Sequence, residues 1–145
     1  MIEKIKTVER LSDYVPLVLK CFEKHRSLFE KNMTKEMFIA KMFTYFNDPH
    51  NLYFGSISKD GELEFFCNSL IIDENDPSLR LIWFMYSNPK CRKYTYAWID
   101  ILKAYGKTIG IKEVRFITNR LTRSYRKFAT KVGAKPMLIT YTLEV

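Results

Sequence analysis

At 145 residues, 47% hydrophobic and 15% aromatic, the chain is long enough to bury a core and short enough to read as one domain over residues 1–145. No uncharged apolar run of 18 residues exists, and MIEKIKTVERL lacks the apolar stretch and cleavage site of a signal peptide, so the expectation is a cytoplasmic protein with no membrane role. The net charge of +8 is uneven: from Arg80 onward 14 Lys and Arg face three acidic residues, whereas before Arg80 10 face 13, so the C-terminal half should attract polyanions.

Ile2 and Val8, spaced by polar residues, suggest a first strand over Met1 to Val8. Ser12 is the candidate N-cap of a helix whose face is marked by Val15, Val18, Leu19, Phe22 and Phe29 and which reaches about Glu30. Thr34 caps a second helix carrying Phe38, Met42, Tyr45 and Phe46 on one side, ending before Asp48-Pro49. Those apolar residues read as core. Asn51 to Ser58 and Glu62 to Ile72 flank Asp60-Gly61, the signature of a hairpin with a positive-φ turn. Asp73 to Ser78, with three acids and Pro77, reads as a surface loop. Three cysteines, Cys21, Cys67 and Cys91, with only two histidines, His25 and His50, suggest neither disulfides nor a metal site.

Leu79 to Tyr86 is almost uninterrupted apolar and aromatic sequence, which suits an interior strand covered on both faces. Asn88-Pro89 ends it, and Trp98, Ile101, Leu102, Tyr105 and Ile109 then mark the stripe of a helix that Gly110 closes at C′. Between them lie Lys90, Arg92 and Lys93. A helix entrance attracts anions through unpaired N–H groups and its dipole, so three cations there point to phosphate binding. Cys91 in this turn should have a depressed thiol pKa, although packing is its ordinary role. Glu113 to Thr118 alternates as another strand. Thr122 or Asn119 can cap a helix with Tyr125, Phe128, Ala129 and Val132 on one face, closed by Gly133, and Met137 to Val145 supplies a last strand. The fold class is α/β (α+β), in the order β-α-α-β-β-β-α-β-α-β.

Arg92 to Ala97, RKYTYA, resembles the Arg/Gln-x-x-Gly-x-Gly/Ala motif of the GNAT family of N-acetyltransferases, with Pro89 three residues upstream. Arg92 and Ala97 fit the motif, and Thr95 stands where it has glycine. Phe128 to Pro136, FATKVGAKP, resembles that family's aromatic helix followed by Lys-x-Gly-Phe, with Ala134 in place of phenylalanine. The order of elements is also that of the GNAT fold with its mixed central sheet.

The resemblance implies an acetyl-CoA-dependent N-acyltransferase acting on an unidentified amine, its first two helices shaping the acceptor side. Backbone groups of Phe84, Met85 and Tyr86 would receive the pantetheine arm. Arg92, Lys93, Thr95 and Ala97 would surround the pyrophosphate. The family's frequent tyrosine acid is replaced by Ala129, which leaves Tyr125, one turn earlier on the same face, or Tyr86 as candidate acid. Glu62 and Glu64 are candidate bases, although strand carboxylates are usually solvated. A second reading keeps the fold as a catalytically inactive binding or structural protein. A third is nucleic-acid binding through Arg120, Arg123, Arg126, Lys127 and Lys131 with Tyr125 and Phe128, against which the helical offsets turn both aromatics to the core face.

Overall fold

The computed structural model describes residues 1–26, 32–91, 93–116, 127, 130, 131 and 133. A two-residue strand, β1 (Glu3–Lys4), pairs with Gly55 and Phe54, far less than the expected Met1 to Val8. Val8 instead opens α1 (Val8–Lys24), because Thr7 rather than Ser12 is the N-cap: its Oγ1 accepts from the Arg10 backbone N–H at 3.1 Å. Ser12 lies inside the helix and donates its hydroxyl to the Val8 carbonyl at 2.8 Å. The earlier start adds Leu11 and Tyr14 to the buried face with Val18 and Phe22. α2 (Lys35–Phe46) starts at the expected cap, Thr34, and buries Phe38 and Met42.

β2 (Leu52–Ile57) and β3 (Leu63–Asp73) form the expected hairpin. Gly61, at φ +80°, closes a turn in which its N–H donates to the Ser58 carbonyl at 3.0 Å. β4 (Asp76–Ser87) follows after only two residues, so the loop expected over Asp73 to Ser78 is a tight turn: Asp73 pairs with Asp76 across it. Acidic side chains cap that turn from within, the Asp73 carboxylate accepting from Asn75 N–H and the Asp76 carboxylate from Ser78 N–H. A 3-10 turn at Pro89–Cys91 leads into α3 (Lys93–Ile109), Gly110 ends it at φ +79°, and β5 (Glu113–Phe116) returns parallel to β4.

The strands make one mixed sheet in the order β1-β2-β3-β4-β5, antiparallel as far as β4. A parallel neighbour requires a crossover, and α3 is that crossover. The sheet divides the core. On one face α1 and α2 bring Tyr14, Phe22 and Phe38 onto Tyr53, Phe66 and Phe84. On the other, Trp98 and Leu102 of α3 cover Leu52, Phe54, Phe65 and Ile82. Aromatic packing dominates the first layer: Phe38 stacks on Phe22 at 4.5 Å between centroids and on Trp83 at 5.3 Å, and meets Phe84 edge-on. Ile109, expected on the buried stripe of α3, is 46% exposed.

Of the expected last helix Lys127, Thr130 and Lys131 are described and are helical, whereas Asn119, Thr122, Tyr125, Phe128, Ala129 and Ala134, the expected last strand and Phe29 lie outside the described residues. Gly133 does adopt φ +78°, its N–H donating to the Thr130 carbonyl at 3.1 Å, as a helix-closing glycine would.

Candidate functional site

The site begins with an irregularity in β4. Asn68 of β3 pairs with Phe84, but Ser69 pairs with Ile82, so Trp83 is an extra residue on β4, a β-bulge. Its effect on side chains is direct: Ile82 joins the α3 layer, Trp83 and Phe84 both join the α1/α2 layer, and alternation then resumes with Met85 on the α3 side and Tyr86 opposite. A bulge leaves a backbone donor without a ladder acceptor. Here Asn68 supplies one, its Oδ1 accepting from Phe84 N–H at 2.8 Å. Asn68 is fully buried, and its Nδ2 faces the Met42 sulfur at 3.9 Å.

The described pairing of β4 with β5 ends at Ile82 with Phe116. Asn88 N–H donates to the Glu64 carbonyl at 2.9 Å, which fixes the phase of the antiparallel ladder. Tyr86 and Phe84 therefore turn their backbone groups toward β3, and Met85 and Ser87 turn theirs away from it. The Ser87 hydroxyl is buried with no partner among the described residues. Of the three residues expected to meet the pantetheine arm, Met85 has this orientation, and Ser87 joins it.

Asn88 then shapes the turn. Its Oδ1 accepts from Lys90 N–H at 3.0 Å, its carbonyl from Cys91 N–H at 2.8 Å, and its Nδ2 donates to the Leu63 carbonyl at 3.4 Å. This points the chain from the end of β4 directly into α3, whose first turn carries no acidic residue. Lys90 and Ala97 are exposed, and Lys93 lies over the Tyr94 ring at 5.4 Å. Arg92 lies outside the described residues. Thr95 is in the first turns of α3, its side chain outside the described part. Lys131 sits over the ring of Tyr96 at 4.3 Å, bringing the later basic segment to the start of α3.

Cys91 does not have the depressed pKa expected of the cationic turn. Burial raises it, and the Glu64 carboxylate raises it further by accepting from the thiol at 3.4 Å. Glu64 is correspondingly not a solvated strand carboxylate: its other oxygen accepts from the buried Ser56 hydroxyl at 3.0 Å. Glu62 is exposed at the rim of a cavity of about 230 Å3 between α1, the β2–β3 hairpin and the end of β4, with Lys20, Cys21, Leu63 and Tyr86 in its walls. Burial, with the nearby Cys21, Glu62 and Cys91, raises the pKa of Tyr86, so its hydroxyl stays protonated and able to donate. Tyr125, the other candidate acid, lies outside the described residues.

Asn68 and Ser87 are positions of the candidate site that sequence reading passed over. The signal for Asn68 was there, a single amide inside the apolar run Leu63 to Ile72.

No protein-family model matches the chain, and a search of curated proteins gives no match. Solved structures do match. The chain is similar to aminoglycoside antibiotic 6'-N-acetyltransferase AAC(6')-Ih from Acinetobacter baumannii, with TM-score 0.68 and 13% identity over 100% of this chain and 98% of that one. It is similar to ribosomal-protein-alanine N-acetyltransferase from Brucella melitensis, with TM-score 0.65 and 15% identity over 100% and 99% of the two chains. AAC(6')-Iy in complex with a CoA bisubstrate analogue matches with TM-score 0.66 and 15% identity over 100% and 98%. The chain has the GNAT fold.

Proposed function

We propose that this chain is an N-acetyltransferase that takes acetyl-CoA as co-substrate and acetylates an amine. One observation carries the reading: the edge of β4 turned away from β3 runs, through Met85 and Ser87, straight into the base-flanked entrance of α3. Such a strand edge offers donors and acceptors to the amides of a pantetheine arm, and the Ser87 hydroxyl, without a partner among the described residues, adds a third group. The helix entrance, with Arg92, Lys93, Thr95 and Ala97, then receives the pyrophosphate. The CoA complexes of the structural neighbours support the same co-substrate.

Acetyl-CoA would supply an activated thioester. The chain's own contribution is to position the amine and to move two protons. Glu62, at the mouth of the cavity beside Tyr86, takes the proton that keeps an ammonium from acting as nucleophile. Tyr86, held protonated by burial, delivers one to the departing sulfur, with Tyr125 as the alternative donor. The neighbours' acceptors, an aminoglycoside and a ribosomal-protein alanine, are chemically unlike each other and share only a basic amine. An amine is therefore the acceptor class we assign here. The domain assignment, one catalytic unit over residues 1–145, is part of the same proposal.

Calorimetric titration with acetyl-CoA and with desulfo-CoA tests it. Binding in the micromolar range is expected, and absence of heat at millimolar ligand sinks the reading. The second reading, a GNAT-fold binding protein without turnover, is favoured by Thr95 in place of the motif glycine. CoA release from acetyl-CoA with a panel of amines separates the two, since turnover with any amine excludes it.

A further inference from the structure

A second cavity, of about 210 Å3, opens under the opposite end of α3 from its cationic entrance. Leu52, Pro49, Pro77 and Ile109 give it apolar walls, Lys4 and His50 stand at its sides, and Arg80 is among its lining residues. Arg80 is only 3% exposed, yet among the described residues no carboxylate pairs with it: Nη1 donates to the His50 backbone carbonyl, and buried Nε has no partner there. A buried cation whose partner among the described residues is a neutral carbonyl is an expensive arrangement unless something else compensates it. Asp48 is the acidic group whose charge reaches Arg80, but its Oδ1 already accepts from both the backbone N–H and the Nδ1 of His50.

The shape narrows what could compensate it. The volume is below the roughly 300 Å3 of ordinary ligand pockets, so the occupant is small. A phosphate would bring two charges toward Asp48 and the negative end of α3 and would leave the apolar walls unused. We propose that this cavity binds a short-chain aliphatic monocarboxylate, its carboxylate on the Arg80 guanidinium and its hydrocarbon against Leu52, Pro49 and Ile109. An arginine fork suits a planar carboxylate, and the exposed Ile109 gains an apolar contact. The site is separate from the β4 edge and does not depend on acetyl-CoA binding there.

Titration of 15N-labelled protein with butyrate, following the Arg80 Nε–Hε resonance assigned through its own side chain, tests the proposal. The resonance should move saturably, and should do so equally in the presence of desulfo-CoA. Ile109→Trp fills the mouth of the cavity from an exposed position and should weaken butyrate roughly tenfold while the spectrum stays that of the folded protein. The proposal is overturned by the absence of saturable movement at millimolar butyrate. It fails equally if inorganic phosphate moves the resonance as effectively as butyrate, or if Ile109→Trp binds butyrate like the wild type.

Discussion

Asn68 shows how one side chain can decide a site. Its Oδ1 takes the Phe84 N–H that the bulge leaves without a ladder acceptor, so Asn68→Ala strands a buried donor. The expected cost is about 1–3 kcal/mol, read as a lower urea midpoint, with a change in Trp83 fluorescence if the bulge relaxes. Gly55 is constrained as tightly from the other direction. A Cβ there would stand 2.4 Å from Cε1 of the fully buried Tyr14, whose hydroxyl donates to Glu3 at 3.2 Å. Gly55→Ala should cost about 1–3 kcal/mol through overpacking, and an unchanged melting temperature would show that Tyr14 can withdraw. Cys91 gives a reactivity prediction. Its folded pKa is raised, so at mildly alkaline pH less of it is thiolate than of a free cysteine, and alkylation is slow. Glu64→Gln removes both the carboxylate charge and its acceptance of the thiol proton, and should speed iodoacetamide labelling several-fold; no acceleration would exonerate Glu64.

At the scale of elements, α1 and α3 are built with different tolerances. α1 carries an exposed Pro16 in its interior, which removes the N–H that would bond the Ser12 carbonyl and crowds that turn. It persists because Leu11, Tyr14, Val18 and Phe22 bury one whole face against the sheet and α2. Pro16→Ala should therefore stabilise the protein, by up to about 3 kcal/mol, and a lower melting temperature would show that the proline is what seats α1. α3 depends on both its ends. Gly110 closes it in a positive-φ conformation, and Asn88 aims its start along the line of β4. Its cationic first turn is free of carboxylates, which is the arrangement an anion needs and a helix by itself does not favour.

For the molecule as a whole, the charge imbalance becomes a binding prediction. The basic surplus after Arg80 should draw a ligand as anionic as CoA, so acetyl-CoA affinity should fall steeply with salt as the Debye length shrinks from about 10 Å at 0.1 M to about 3 Å at 1 M. An affinity indifferent to salt would place the binding in the pantetheine arm and not in the helix entrance. No helix among the described residues is long and apolar enough to cross a membrane.

Periodicity, caps and glycines by themselves determined the order of elements as far as β5: Thr34, Gly61 and Gly110 act locally, through their own φ angles and side chains, and local physics is written in local sequence. Where competing signals stood a few residues apart, the choice passed to the tertiary structure. Thr7 displaced Ser12 as cap because the earlier start buries Leu11 and Tyr14, and the acidic stretch after Ile71 became a turn because β3 and β4 continue to pair across it. The site was divided in the same way. The cations of the α3 entrance are visible in the sequence, whereas the bulge, the outward phase of Met85 and Ser87 and the contact of Cys91 with Glu64 depend on strand register, a property of two distant segments that neither contains alone.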